Sequence, residues 1–123
     1  MFTTNETIKG VHGIPQNQIE LLRAYLQGAV YCWCNSNQKH DVFYSRDFLG
    51  GENFFWEDTP AEALYRHYME ISDDDHDYAF SEAAKAAGRL LKSVLNDDKR
   101  IFEVQEGYVK GYRWTGRYRD GSQ

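Results

Sequence analysis

The feature that most constrains this chain is an apolar repeat near its C-terminal end. Ala83, Ala84, Ala87, Leu90, Leu91, Val94 and Leu95 recur at spacings of three and four. At about 3.6 residues per turn, such positions stand above one another and form one buried helical face. Ser81 opens this helix and Asn96-Asp97-Asp98 ends it, which predicts a helix over 81–96. Lys85, Arg89 and Lys92 fall at i, i+4 and i+7 on another face, a cationic stripe on the solvent side. The next residues read as a β-hairpin, with Ile101–Gln105 and Tyr108–Thr115 flanking Glu106-Gly107. A two-residue turn there sets Glu103 opposite Lys110 and Val104 opposite Val109, both favourable cross-strand pairs. Residues 81–119 are therefore expected to form one unit, an amphipathic helix running into a basic, aromatic hairpin, with Arg117 and Arg119 extending the charge.

Upstream, Ile19, Leu22, Leu26, Ala29, Val30 and Trp33 predict a first helix over about 16–34, ended by Asn35-Ser36-Asn37. Val42-Phe43-Tyr44 favours a short strand. Ser45 is placed to cap a helical turn through Leu49, which Gly50-Gly51 breaks. Thr59-Pro60-Ala61-Glu62 carries a threonine N-cap, a proline at the first helical position and a glutamate three residues after the cap. That predicts a second helix over 59–71, with Ala61, Leu64, Tyr65 and Tyr68 facing inward. Ser72–Phe80 then reads as an acidic loop, longer than the three or four residues that helix-turn-helix units usually need. The order is helix, short strand, helix, helix, strand, strand, an α+β arrangement. Residues 1–14 read as a flexible arm, 15–119 as a single domain and 120–123 as a tail, since 123 residues is an ordinary size for one domain.

Charge is divided along the chain. The net charge is −5, yet residues 1–80 hold 5 basic and 13 acidic side chains while residues 81–123 hold 9 and 6. A segregated surface of this kind can present a basic face to an acidic partner. No run approaches the roughly 18 apolar residues that a membrane span needs, and the chain reads as soluble and cytoplasmic, with no membrane partner. Cys32 and Cys34 are the two cysteines. Their side chains on a helix point about 200° apart, which is poor geometry for a disulfide and suits a reducing compartment.

No catalytic motif is evident, and the chain is not expected to be an enzyme. Cys32, Cys34 and His40 invite a metal reading, but a structural zinc site usually takes four ligands, and His12, His67 and His76 show no ligand spacing. Asp73, Asp74, Asp75 and Asp77 lack the alternating oxygens and trailing glutamate of a calcium loop and read as a solvated cap. Glu103, Glu106 and Lys110 invite a nuclease-like reading, which a cross-strand salt pair already explains in part. No cofactor and no metal are expected. Phe54, Phe55 and Trp56 read chiefly as core filling; exposed, they would mark a protein-binding patch.

In topology the chain resembles the winged-helix family of DNA-binding domains. The correspondence runs through residues 16–34 as the first helix, 42–44 as the small strand, 59–71 and 81–96 as the second and third helices, and 101–115 as the wing. The resemblance implies a duplex-facing surface made by Lys85, Arg89, Lys92, Lys110 and Arg113. Gln105, Tyr108 and Tyr112 are placed to donate to phosphate or sugar oxygens, and Arg89 is the best candidate for a guanine edge. The expected function is double-stranded DNA binding by a small regulator or an accessory of a mobile element or replication process. The alternative is a protein interaction module on the same scaffold, using Phe54, Phe55, Trp56, Asp73, Asp74, Asp75 and Asp77 against a basic partner.

Overall fold

The computed structural model describes residues 13–48 and 56–122. Three helices precede a C-terminal antiparallel hairpin: α1 (Gln16–Cys34), α2 (Glu62–Ile71), α3 (His76–Asp97), β1 (Arg100–Gln105) and β2 (Gly111–Tyr118). A short 3₁₀ turn, Ser45–Asp47, lies between α1 and α2. The fold is α+β, as the residue patterns predict. In α1 the stripe Ile19, Leu22, Leu26, Val30 and Cys34 is buried, whereas Ala29 and Trp33 are half-buried at its margin. In α3 the buried face runs from Ala79 through Ala83, Ala87, Leu90, Leu91 and Val94 to Leu95.

The third helix begins five residues earlier than its apolar repeat suggests. Asp75 is its N-cap, accepting the Tyr78 backbone N–H at 3.1 Å, and Asp77 sits in the first turn where the helix dipole favours an anion. What reads as a nine-residue acidic loop is thus a tight connection, Ser72–Asp75, followed by helix. Asp73 and Asp74 close it in left-handed backbone conformations, φ 57° and 66°. The Asp74 N–H reaches back to the Met69 carbonyl at 3.0 Å, satisfying an orphan acceptor at the end of α2.

The start of α2 also departs from expectation. The Thr59 hydroxyl accepts from the Ala61 N–H at 3.2 Å, and the Thr59 carbonyl accepts from the Glu62 N–H at 3.0 Å. These bonds make a separate turn ahead of the helix. Glu62 does not fold back onto the cap; its carboxylate pairs with Arg66 one turn on, at 3.1 Å.

The hairpin turn is longer than two residues. Glu103 stands opposite Arg113, Val104 opposite Tyr112 and Gln105 opposite Gly111, leaving 106–110 as the tip. The predicted Glu103–Lys110 and Val104–Val109 pairs are therefore absent, and Glu103 forms its ion pair with Arg113. Pairing shifts between Arg100 and Phe102, beside Gly116 in a left-handed conformation at φ 87°, a bulge that curls the base of the hairpin. The expected strand 42–44 is reduced to one bridge, Phe43 with Tyr112, closed by two backbone bonds of 2.8 and 2.9 Å. Gly111 permits this approach, since a Cβ there would lie 2.6 Å from Val42 Cγ1.

Polar side chains lock these elements together. Asp98 and Arg100, 5% and 6% exposed, form a buried ion pair. Asp98 accepts from the Arg100 N–H at 2.8 Å and Arg100 Nη1 at 3.1 Å, and from Gln27 Nε2 of α1 at 2.8 Å. The guanidinium lies 5.2 Å from the Tyr31 ring centroid and 5.4 Å from that of Trp114. Arg23 adds a second tie between α1 and α3, donating to Ser93 Oγ at 3.1 Å and Asp97 at 3.0 Å.

At the ends, residues 1–12 of the expected arm lie outside the described residues. Ile14 packs against the core, and Gly13 stands so close to His67 that a Cβ would meet its ring at 2.7 Å. Of the expected tail, residues 120–122 are described, and the Ser122 N–H and hydroxyl donate to Asp120 at 2.9 and 2.6 Å.

Two outcomes are expected. Asp98→Ala leaves the Arg100 charge buried and unpaired and destabilises the fold by about 3–5 kcal/mol, read from urea unfolding midpoints; a loss below about 1 kcal/mol would contradict a structural role for the pair. Burial pushes the Cys34 thiol up from 9.0 to about 11. Because folding favours its neutral form, that contribution is complete below pH 9 and is lost as pH climbs to about 11. Cys34→Ala should accordingly reduce the alkaline loss of stability across that window, measured as unfolding free energy against pH beside the parent protein.

Candidate nucleic-acid interface

The cations of α3 occupy the face away from its buried stripe, and the hairpin tip reaches across toward them. Between the two lies an open groove of about 750 Å³. Lys85, Arg89 and Lys92 line one wall, with Ala84 and Gly88 between them; Tyr108, Val109, Lys110 and Tyr112 line the other. Arg46, from the 3₁₀ turn, joins them and lies over the Tyr44 ring at 4.5 Å. Five cations therefore converge, and no carboxylate is among the described residues lining the groove.

Lys85 forms an i,i+3 pair with Glu82 at 3.2 Å, but the lysine is 61% exposed, so the pair is screened and offers little resistance to a competing anion. The side chains of Arg89, Lys92 and Lys110 make no hydrogen bond or ion pair with another described residue. Charges of one sign lining a concave surface reinforce one another and concentrate counter-ions there.

Of the eight residues singled out for nucleic acid, Lys85, Arg89, Lys92, Tyr108, Lys110 and Tyr112 share this groove. Gln105 and Arg113 do not line it: Gln105 is exposed beside the tip, and Arg113 is engaged by Glu103. Tyr112 is only 7% exposed. Its ring packs 6.0 Å from Phe43, so it serves as floor more than as donor; burial also raises its hydroxyl pKa, which favours the protonated form. Sequence reading missed Arg46 and Phe80. Arg46 is brought in by the Phe43–Tyr112 bridge, a contact across 69 positions that no local pattern reveals. Phe80 falls in the stretch whose acidity reads as a loop; its helical spacing from Ala84, at i+4, is the available signal.

The alternative constellation is dispersed. Phe54 and Phe55 lie outside the described residues. Trp56 is half-buried with its ring edge on Phe80, 6.1 Å between centroids. Asp73, Asp74, Asp75 and Asp77 are all exposed at the α2–α3 turn, where Asp75 acts as a cap and Asp73 and Asp74 shape the backbone. Among the described residues no group of His, Cys, Asp or Glu is arranged to hold a metal ion. His40 stacks on Trp114 at 6.3 Å, and Cys32 and Cys34 are free thiols, one exposed and one buried. No described helix is long and apolar enough to cross a membrane.

No family model matches the chain, and no curated protein or solved structure is significantly similar to it.

The convergence of helix and hairpin has a direct chemical test. A short amine-reactive cross-linker should join Lys92 to Lys110, identified by peptide mass spectrometry after proteolysis. Single modification of both lysines without a link would place the tip away from α3.

Proposed function

We propose that this chain is a double-stranded DNA-binding domain on a winged-helix-like plan, acting as a small regulator or accessory protein in DNA transactions. The observation that carries this reading is the groove in which α3 and the hairpin tip bring five cations together without a lining carboxylate among the described residues. Phosphate neutralisation needs little more than such a cluster, because release of condensed counter-ions supplies much of the affinity. The four-residue Ser72–Asp75 connection also supports the reading, being the length that helix-turn-helix units use. Arg89, whose side chain makes no hydrogen bond or ion pair with another described residue, is the side chain best placed to donate to a base edge.

A protein partner is the second reading, favoured by the apolar surface beside the cations: Phe80 is 46% and Val109 42% exposed. Such a partner would carry acidic and apolar side chains together.

Fluorescence anisotropy with a random-sequence duplex at two salt concentrations separates the readings. With five groove cations, log affinity should fall against log salt with a slope of about −4 to −5. Replacing Lys85, Arg89 and Lys92 by alanine together should flatten the slope by about 2 to 3 while leaving the circular dichroism spectrum unchanged. Absence of duplex binding at low salt would reject the duplex reading.

A further inference from the structure

We propose that the groove between α3 and the hairpin tip takes a single DNA strand, with an unpaired base stacked on Tyr108, so that the preferred site is a frayed end, an overhang or a fork. This deepens the DNA-binding reading and rests on it.

Shape is the first argument. The groove is concave, and small residues, Ala84 and Gly88, lie between the cations of its helical wall. Apart from the adjoining residues and the backbone of α3 itself, no atom lies within 4 Å of where a Gly88 Cβ would stand. A duplex, whose major groove is about 12 Å wide, can lie across both walls and meet their cations from outside, and a single strand can in addition settle into the concavity of about 750 Å³. From Lys85 to Lys92 the helix rises about 10 Å, enough to follow two or three successive nucleotides at 3.4 Å or more each.

The second argument is the placement of rings. Tyr108 stands at the lip with 105% relative exposure, and Phe80, on the facing side, is 46% exposed. Tyr108 makes no ring contact or hydrogen bond with another described residue, so nothing in the fold accounts for a large aromatic there. A basic groove that tracks the backbone, flanked by rings that offer a face to any base, is the arrangement that holds single strands without sequence preference.

Labelled strands of about 12 nucleotides, a blunt duplex of the same sequence, and that duplex with a short overhang supply the probes, read by anisotropy with the full chain. The single strand and the overhang should bind more tightly than the blunt duplex. Tyr108→Ala should weaken single-strand binding roughly tenfold and change blunt-duplex binding by less than about twofold. Tyr108→Phe, which keeps the ring and removes the hydroxyl, should retain single-strand affinity. Blunt duplex bound as tightly as the strand, or single-strand affinity indifferent to Tyr108→Ala, would overturn the inference and leave DNA binding standing. Binding of none of the probes at low salt would overturn both.

Discussion

The architecture turns on the buried contact between Asp98 and Arg100. Asp98 closes the C-terminal end of α3 and Arg100 opens β1, so the pair fixes the angle at which the hairpin leaves the helix. Gln27 brings α1 to the same carboxylate, and Trp114 brings β2 to the same guanidinium. Four elements therefore meet at one charge pair. Taking two charges out of water is costly, and a buried pair is weak evidence of net stabilisation. Its value here is geometric. A hydrophobic contact tolerates sliding, but a carboxylate that accepts from Arg100 and Gln27 in fixed directions permits few arrangements.

That geometry explains how an acidic chain displays a basic groove. The net charge of −5 is an average; in the fold, α3 and the hairpin carry their cations to facing walls, while Asp73, Asp74, Asp75 and Asp77 gather at the turn that starts α3. Several of these aspartates have local duties that do not depend on a partner. Asp75 satisfies an amide of the first helical turn, and Asp77 favours the positive end of the dipole. The acidity that seems to argue against a nucleic-acid partner is thus spent at a turn.

Much of the fold was legible in the sequence where one residue type repeats on one face. The stripes of α1 and α3 and the existence of the hairpin followed from local period. What escaped was set by contacts or backbone conformations that period does not encode. The α3 start was concealed because His76, Asp77 and Tyr78 are polar or exposed and carry no apolar signal, although Asp75 and Ala79 fit a capped helix. The hairpin register escaped because a glycine within a turn does not specify its length; Gly111, held against Val42, is the residue that ends the tip. Of the candidate site, the helical cations and Lys110 could be named from spacing, whereas Arg46 depends on a bridge between distant segments.

The Phe43–Tyr112 bridge has a mechanical consequence. It pins the tip-proximal end of β2 to the 42–48 segment, while every residue from Glu103 to Lys110 is exposed. One wall of the groove is a helix whose buried face runs from Ala79 to Leu95; the other is an exposed tip held where it joins β2, at Gly111 and Tyr112. Segments with few buried contacts open at the lowest free-energy cost. The groove therefore has a stiff jaw and a compliant one, and its width can adjust to what enters without disturbing the core.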